Sequence, residues 1–431
     1  VTDELETTAA IARDLIRFPT VNWGGGKSLG ETEAAQYVAA KLEALDLEPQ
    51  LFDAAPGRTS VVARVPGRDP SRPALVLHGH LDVVPAIADD WSVDPFEGVV
   101  KDGMLWGRGA VDMKDMDAMI LASLGDILGA GERPARDLVV AFFSDEENGG
   151  VYGSHYLVRE HPELFEGATE AVSEVGGYSV DLGGQRAYLL QTGEKALCWI
   201  RLVAHGATAH GSRLIRDNAL TKLAEAVARI GREEWPVRLT TTTTALLDEL
   251  RRILGAAPDA DPDEVVLSTG NAAGFLQATL RHTTNPTVLE AGYKHNVIPD
   301  RAEALVDIRP LPGMQDEVLD RVRELAGPDI DVEIVHSDVG LESPLTGDLV
   351  DRMVAALGRH DPGAPVIPYL MSGGTDNKAL SLLGITGYGF APLRLGPTLD
   401  FASLFHGIDE RVPLDALAFG RAVLGDFLRD C

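Results

Sequence analysis

The chain has 431 residues, 45% of them hydrophobic, with 66 acidic and 38 basic side chains and a formal net charge of −28. At roughly 150 residues per domain, that length predicts two to three domains with enough apolar sequence for sizeable cores. The negative field opposes nucleic acid and anionic membrane surfaces, so neither is expected as a partner.

No stretch reaches the run of ~18 apolar residues that a membrane span needs. The opening VTDELETTAAIARDLIRF is acidic and amphipathic, unlike a secretory leader, and the expected location is cytoplasmic. Residues 1–194 then alternate helical stretches with short apolar strands. ALVL at 74–77 and LVVAFF at 138–143 are bounded by turn residues, as buried strands of a mostly parallel sheet should be, and 111–129 carries a helical pattern. Within it, Met113, Met116 and Met119 recur at helical spacing and are expected in the core. From about Lys195 the rhythm changes. ALCWIRLVA reads as a strand, 218–230 as a helix, TVLEAGY and AEALVDIRP as strands, 315–325 as a helix and 331–336 as a last strand. That order, β-α-β-β-α-β, is ferredoxin-like. The stretch 236–286, with the amphipathic piece ALLDELRRIL and the loop GAAPDADPDE, interrupts it as an insertion. After about residue 337 the chain returns to helix, Gly-rich loop and helix. The expected architecture is α/β: a larger, mostly parallel-sheet domain at 1–194 and 339–431, interrupted by a ferredoxin-like domain at 195–338. The two cysteines, Cys198 and Cys431, build neither a disulfide framework nor a cysteine zinc site, and Cys198 is expected to be buried and inert.

Several motifs stand at or just beyond apparent strand ends, where open α/β sheets bind ligands. HGHLDVVP follows ALVL, and its His80 and Asp82 suit a metal ligand and the group that orients it. Alone, a His-x-Asp turn also fits a satisfied turn histidine. In GRGAVDMKD, Asp112 stands where a helix begins and alone reads as a cap. SDEENGG follows LVVAFF, and its adjacent acids repel one another unless solvent or a cation compensates. Glu146 and Glu147 can then divide the work of general base and ligand. Glu174 ends the strand-like AVS, and His406 stands in FHGIDERVP near the chain's end. Jointly, His80, Asp112, Glu147, Glu174 and His406 supply the two imidazoles and three carboxylates that two zinc-like ions need if one carboxylate bridges them.

HGHLDVVP, GRGAVDMKD, SDEENGG, NVIP with VDIRPLPG, SGGTD and HGIDERVP occur in this order along nearly the whole chain. In this the sequence resembles the dinuclear zinc amidohydrolases and metallopeptidases that include acetylornithine deacetylase, succinyl-diaminopimelate desuccinylase, aminoacylase and glutamate carboxypeptidase. The resemblance implies that Asp112 bridges two zinc ions per chain, one held by His80 and Glu174, the other by Glu147 and His406. Cobalt or manganese would fit the same donors. Asp82 would orient His80, and Glu146 would serve as general base on a metal-bridging water. The larger domain would be catalytic and the inserted one a lid and dimerisation domain. His210, in AHGATAHGS, matches a histidine that steadies the oxyanion, commonly from the partner subunit, so a homodimer is implied, and His205 beside it reads as structural. Asn296, Arg309 and the Gly373-Gly374 turn match positions that bind the substrate; a guanidinium fork suits a free carboxylate.

The expected activity is metal-dependent hydrolysis of an amide bond next to a free carboxylate of a small-molecule substrate. N-acyl amino acid deacylation is the first reading and cleavage of short peptides by a dipeptidase or carboxypeptidase the alternative; no sequence feature separates them. A carbamoyl-directed hydrolase and a non-catalytic binding relative are the further readings. His155, His161, His282, His295, His336 and His360 are expected at surface or capping positions, and Trp91 and Phe96 in a packed loop or lining the cleft.

Overall fold

The computed structural model describes residues 6–431; the first five residues of the acidic opening segment lie outside the described part. Ten strands form one large sheet. Its centre is parallel, with Leu138–Phe143 beside Ala74–His80, then Ala168–Ser173, then Thr386–Gly389. Ala74–His80 and Leu138–Phe143 are buried along their whole length, which is why they read as unbroken apolar runs. Their side chains alternate between two cores. Leu75, Leu77, Val140 and Phe142 pack on one face of the sheet, and Val76, Val139, Ala141 and Phe143 on the other.

The expectation of a mostly parallel sheet holds at this centre and gives way to a mixed sheet at the edges. There, Gln50–Ala55 pairs antiparallel with Arg58–Val65, and Ser179–Leu182 with Gln185–Glu194. Both are local hairpins. The second turns through Gly183 and Gly184, which adopt φ of 64° and 90°, the left-handed backbone a two-residue hairpin requires. The helix Lys114–Gly129 packs between the sheet and the helices Thr7–Ile16 and Leu414–Asp430, so it is buried nearly all round, and Met113, Met116 and Met119 are in the core as expected.

A separate antiparallel sheet has the order Thr283–Ala291, Arg301–Arg309, Leu197–His205, Ile330–Asp338. The helices Ala219–Gly231 and Gln315–Ala326 cover one face of it around a second core that contains Cys198, Ile200, Leu223, Val306 and Val318. The 236–286 stretch folds into the helices Thr241–Leu254, Pro262–Leu267 and Ala273–Thr279. The threonine run starts the first of them, Thr240 and Thr243 capping each other's backbone N–H. Although this stretch interrupts the small sheet in sequence, Leu246, Leu247, Leu250, Val265 and Leu276 bury in the core of the large one. No described helix is long and apolar enough to cross a membrane.

Lys195 sits where the chain passes from the large sheet to the small one. Its side chain is fully buried and its Nζ has no hydrogen-bond partner. Burial, reinforced by the nearby Arg309 and Arg281, pushes its amine from 10.5 down to about 7. Between those values the unfolded chain holds a proton that the folded chain has released, so stability rises with pH across that window. Lys195→Met is expected to remove this slope and to raise stability on its acid side by about 1–3 kcal/mol. Urea denaturation below pH 7 and in steps up to 10.5 checks both effects.

Candidate metal centre and substrate pocket

The parallel strand ends deliver the expected residues to one place. His80 closes the strand Ala74–His80, and the strands Leu138–Phe143 and Ala168–Ser173 lead directly into the turns that carry Glu146, Glu147 and Glu174. Asp112 lies just before the helix Lys114–Gly129, and His406 comes from the long return near the chain's end. Three non-glycine residues here take left-handed backbone: Asp145 (φ 67°), Val175 (φ 53°) and His406 (φ 57°). Each costs about 1–3 kcal/mol, a strain that surrounding contacts must hold in place.

Asp112 lies between the two imidazoles. Its Oδ1 is 3.1 Å from His80 Nε2, and its Oδ2 is 3.2 Å from His406 Nε2. Glu174 Oε2 lies 3.6 Å from His80 Nε2, and Glu147 Oε2 lies 3.1 Å from His406 Nε2. Donor atoms of His80, Glu146 and Glu174 fall within 4.8 Å of one another, as do those of His80, Asp112 and Glu147. Glu146, expected to act as a base, is thus nearly as close to His80 as Glu174 is, at 3.9 Å.

The electrostatics are those of a site that needs positive charge. Burial pushes the Glu174 carboxyl up to about 8 in spite of His80 beside it. Glu147 is raised as well, by burial and then by Asp112. His406 is raised too: burial opposes its charge, but Asp112 and Glu147 outweigh it and hold the imidazole near 11. Glu147 Oε1 is buried with no hydrogen-bond partner. Oxygen and nitrogen donors in this ratio, with an orphaned carboxylate oxygen among them, fit divalent cations, whose charge would reverse each of these shifts.

Around this cluster the chain builds a buried frame, part of which motif spacing does not reveal. Asp82 takes the His80 Nδ1 contact through its backbone carbonyl at 3.0 Å, while its carboxylate Oδ1 stays 3.7 Å away. That carboxylate instead accepts the backbone N–H of Glu146 at 3.0 Å and of Glu147 at 3.2 Å, and Asn22 Nδ2 donates to it at 2.8 Å. Of the acid run, Asp145 turns inward to Arg58 at 3.1 Å and Asn22 at 3.0 Å, leaving its two neighbours for the site. Arg58 also pairs with the buried Glu31. Glu410 holds the opposite wall. It accepts from Arg108 at 2.6 Å and from the backbone N–H of Gly109 at 3.1 Å, Val111 at 2.7 Å and Asp112 at 3.1 Å.

The cluster opens into a cavity of about 440 Å³, bordered by Glu146, Glu147, Glu174, Arg309, Gly373 and Gly374 among others. Arg309 is half-buried, and Asp307 fixes its guanidinium through contacts of 2.7 and 3.0 Å. Trp199 Nε1 in turn donates to Asp307 at 3.0 Å. His210 and Asn296 are not on the cavity wall. They lie exposed beside each other, His210 with Ser212 at 2.8 Å and the Asn296 carbonyl accepting the Gly211 N–H at 2.8 Å. His205 is exposed near Asp331, at the end of an inner strand of the small sheet.

Two histidines expected at the surface belong to the pocket's surroundings. His155, on the cavity wall, is 3.3 Å from Asp338, and His336 is 2.9 Å from the same carboxylate, which ties the small sheet to the helix Ser154–Glu160. His282 also departs from expectation: it is buried and accepts the Leu311 N–H at 3.0 Å. His161 and His360 pair with Glu163 and Asp426 outside the pocket, His295 is exposed, and Trp91 packs under Arg108.

Residues 76–430 match the family described as Peptidase family M20/M25/M40. The chain belongs to this family. Membership makes it a hydrolase. The chain is 27% identical to Aminoacylase-1 of Homo sapiens over 424 residues, 95% of this chain and 91% of that protein. Among solved structures it is similar to an M20 family metallo-carboxypeptidase, Sso-CP2, from Sulfolobus solfataricus, with a TM-score of 0.76, 18% identity and 99% of both chains covered. Human carnosine dipeptidase 1 shares the fold with a TM-score of 0.73, at 15% identity over 98% of this chain and 95% of that one.

Proposed function

We propose that this hydrolase cleaves the amide bond of N-acyl amino acids, at a centre that binds two divalent cations, zinc first and cobalt or manganese as substitutes. The observation that carries this reading is the Asp112 carboxylate, whose two oxygens face His80 at 3.1 Å and His406 at 3.2 Å. A carboxylate shared in this way has the form of a bridge, with His80 and Glu174 on one side and Glu147 and His406 on the other. The bound cations would polarise the scissile carbonyl and lower the pKa of the attacking water.

The chain's own residues divide the remaining work. Glu146 lines the cavity, and its backbone is pinned by Asp82. Burial raises its carboxyl well above 4.5, which suits a group that takes a proton from water and returns it to the leaving amine. Arg309, already fixed by Asp307, offers its outer edge to the free carboxylate of the substrate, and the backbone at Gly373 and Gly374 lies along the same cavity.

Similarity to Aminoacylase-1 over nearly the full length supports the N-acyl substrate. The dipeptidase and carboxypeptidase among the structural neighbours keep short peptides as the second reading. Equimolar N-acyl amino acids and dipeptides, mixed with zinc-loaded protein and followed by mass, test the choice. Cleavage of the acylated substrates is expected. Cleavage confined to dipeptides would overturn it, and silence on both with metal bound would favour a binding relative.

We further propose that 1–194 with 339–431 is the catalytic domain and 195–338 the lid and dimerisation domain of a homodimer, except that the helices between 241 and 279 pack into the core of the large sheet. The exposed pair of His210 and Asn296 supports this, since one chain does not bring them to its own cavity. In a dimer, His210 would reach the partner's site to steady the oxyanion. A cytoplasmic location is proposed with it: both cysteines are buried and unpaired, as a reducing compartment favours.

A further inference from the structure

We propose that the short helix Ala273–Thr279 walls a subsite for a medium-length acyl chain; this rests on the N-acyl reading above. Phe275 and Ala278, three residues apart on one helix face, both border the cavity that holds the acid cluster and Arg309. Tyr178, Tyr369, Met371 and Phe405 complete that part of its wall. Tyr369 and Met371 stand two apart on the strand Val366–Met371 and therefore face the same way.

The wall is preformed. Phe275 meets Tyr369 edge-on, with ring centroids 5.7 Å apart at 85°. Phe401 packs on Tyr178 at 5.1 Å and meets Phe405 edge-on at 5.4 Å. Rings held against one another present a fixed apolar surface and lose little freedom when a ligand arrives. An acetyl group would leave most of that surface wet, whereas a longer acyl chain would cover it. On their other side, Tyr178, Phe275 and Ala402 also border a second hollow of about 300 Å³.

The helix belongs to the stretch that interrupts the small sheet, yet Leu276 and Leu280 anchor it in the core of the large one. The wall is therefore fixed to the same body as the acid cluster. Acyl-chain preference is set by a segment whose sequence position lies inside the other domain.

The test compares N-decanoyl-alanine with N-acetyl-alanine on the zinc-loaded wild type and on Ala278→Trp, which fills the subsite. The ratio of kcat/KM, decanoyl over acetyl, is expected to favour decanoyl in the wild type and to fall at least about 10-fold in the variant. Phe275→Ala, which removes the ring without adding bulk, is expected to lower the same ratio and serves if the tryptophan variant fails to fold. A ratio unchanged in both folded variants would overturn the subsite. Calorimetric binding of decanoate and of acetate separates the two readings. Suppose the wild type hydrolyses neither acyl substrate, yet prefers decanoate at least about 10-fold and Ala278→Trp loses that preference. The acyl-substrate reading then fails and the apolar subsite stands. Equal binding of the two acids would sink the subsite even if N-acetyl-alanine is hydrolysed.

Discussion

Glu146→Gln is expected to lower kcat by about 10²–10⁴-fold while leaving two metal ions per chain. Glutamine keeps the size of the side chain and the backbone contact from Glu146 N–H to Asp82 at 3.0 Å, so the turn should hold its shape. What it lacks is a site for the proton. Because burial keeps this carboxyl well above 4.5, the group is poised to carry that proton from water to the leaving amine. Steady-state kinetics beside metal analysis of the same preparation checks the result. Loss of a metal ion in the variant would instead make Glu146 a ligand, a role its 3.9 Å approach to His80 makes concrete. Full turnover would contradict any part for Glu146 in the chemistry.

Glu410→Ala is expected to cost about 3–5 kcal/mol of stability and to weaken metal binding with it. Glu410 is fully buried and receives Arg108 together with three backbone N–H groups, those of Gly109, Val111 and Asp112. Removing it leaves a buried guanidinium unpaired and frees the loop that places the Asp112 carboxylate. Glu410→Gln keeps an acceptor and should fall between the wild type and the alanine variant. Thermal denaturation with and without zinc measures both effects. A melting temperature equal to that of the wild type would mean the loop is held by other contacts.

Three of the metal-site residues legible in the sequence share one physical property. Each stands in a short motif at or just beyond the end of a strand, and parallel strands at the centre of a sheet deliver such ends to one edge. His80, Glu147 and Glu174 follow that rule directly, and they meet Asp112 and His406 in the folded chain. The frame behind them was not legible. Asn22 reaches Asp82 across 60 residues, and Glu410 reaches Asp112 across 298. Buried polar partners of that kind leave no periodicity and no local spacing. The same holds for His155 and His336, whose link through Asp338 exists only once the small sheet lies against the large one.

The fold divides in a similar way. The apolar runs at 74–77 and 138–143 and the ferredoxin-like order were readable because burial on two faces and β-α-β-β-α-β succession are properties of consecutive residues. The antiparallel edges were not, since a hairpin such as 179–194 differs from a parallel strand only in its partner. The piece ALLDELRRIL was recognisably amphipathic, but amphipathicity does not say which core receives the apolar face. In the structure, Leu246, Leu247 and Leu250 enter the core of the large sheet.

The most direct measurement is a metal titration read simultaneously as occupancy and as turnover. Protein stripped by a chelator is reloaded stepwise with zinc, and hydrolysis of an N-acyl amino acid is followed at each step. Inactivity when stripped is expected, with turnover rising as bound zinc approaches two ions per chain, the number that one shared carboxylate and its flanking ligands can hold. Full turnover in the stripped protein, or no N-acyl hydrolysis with both ions bound, would contradict it.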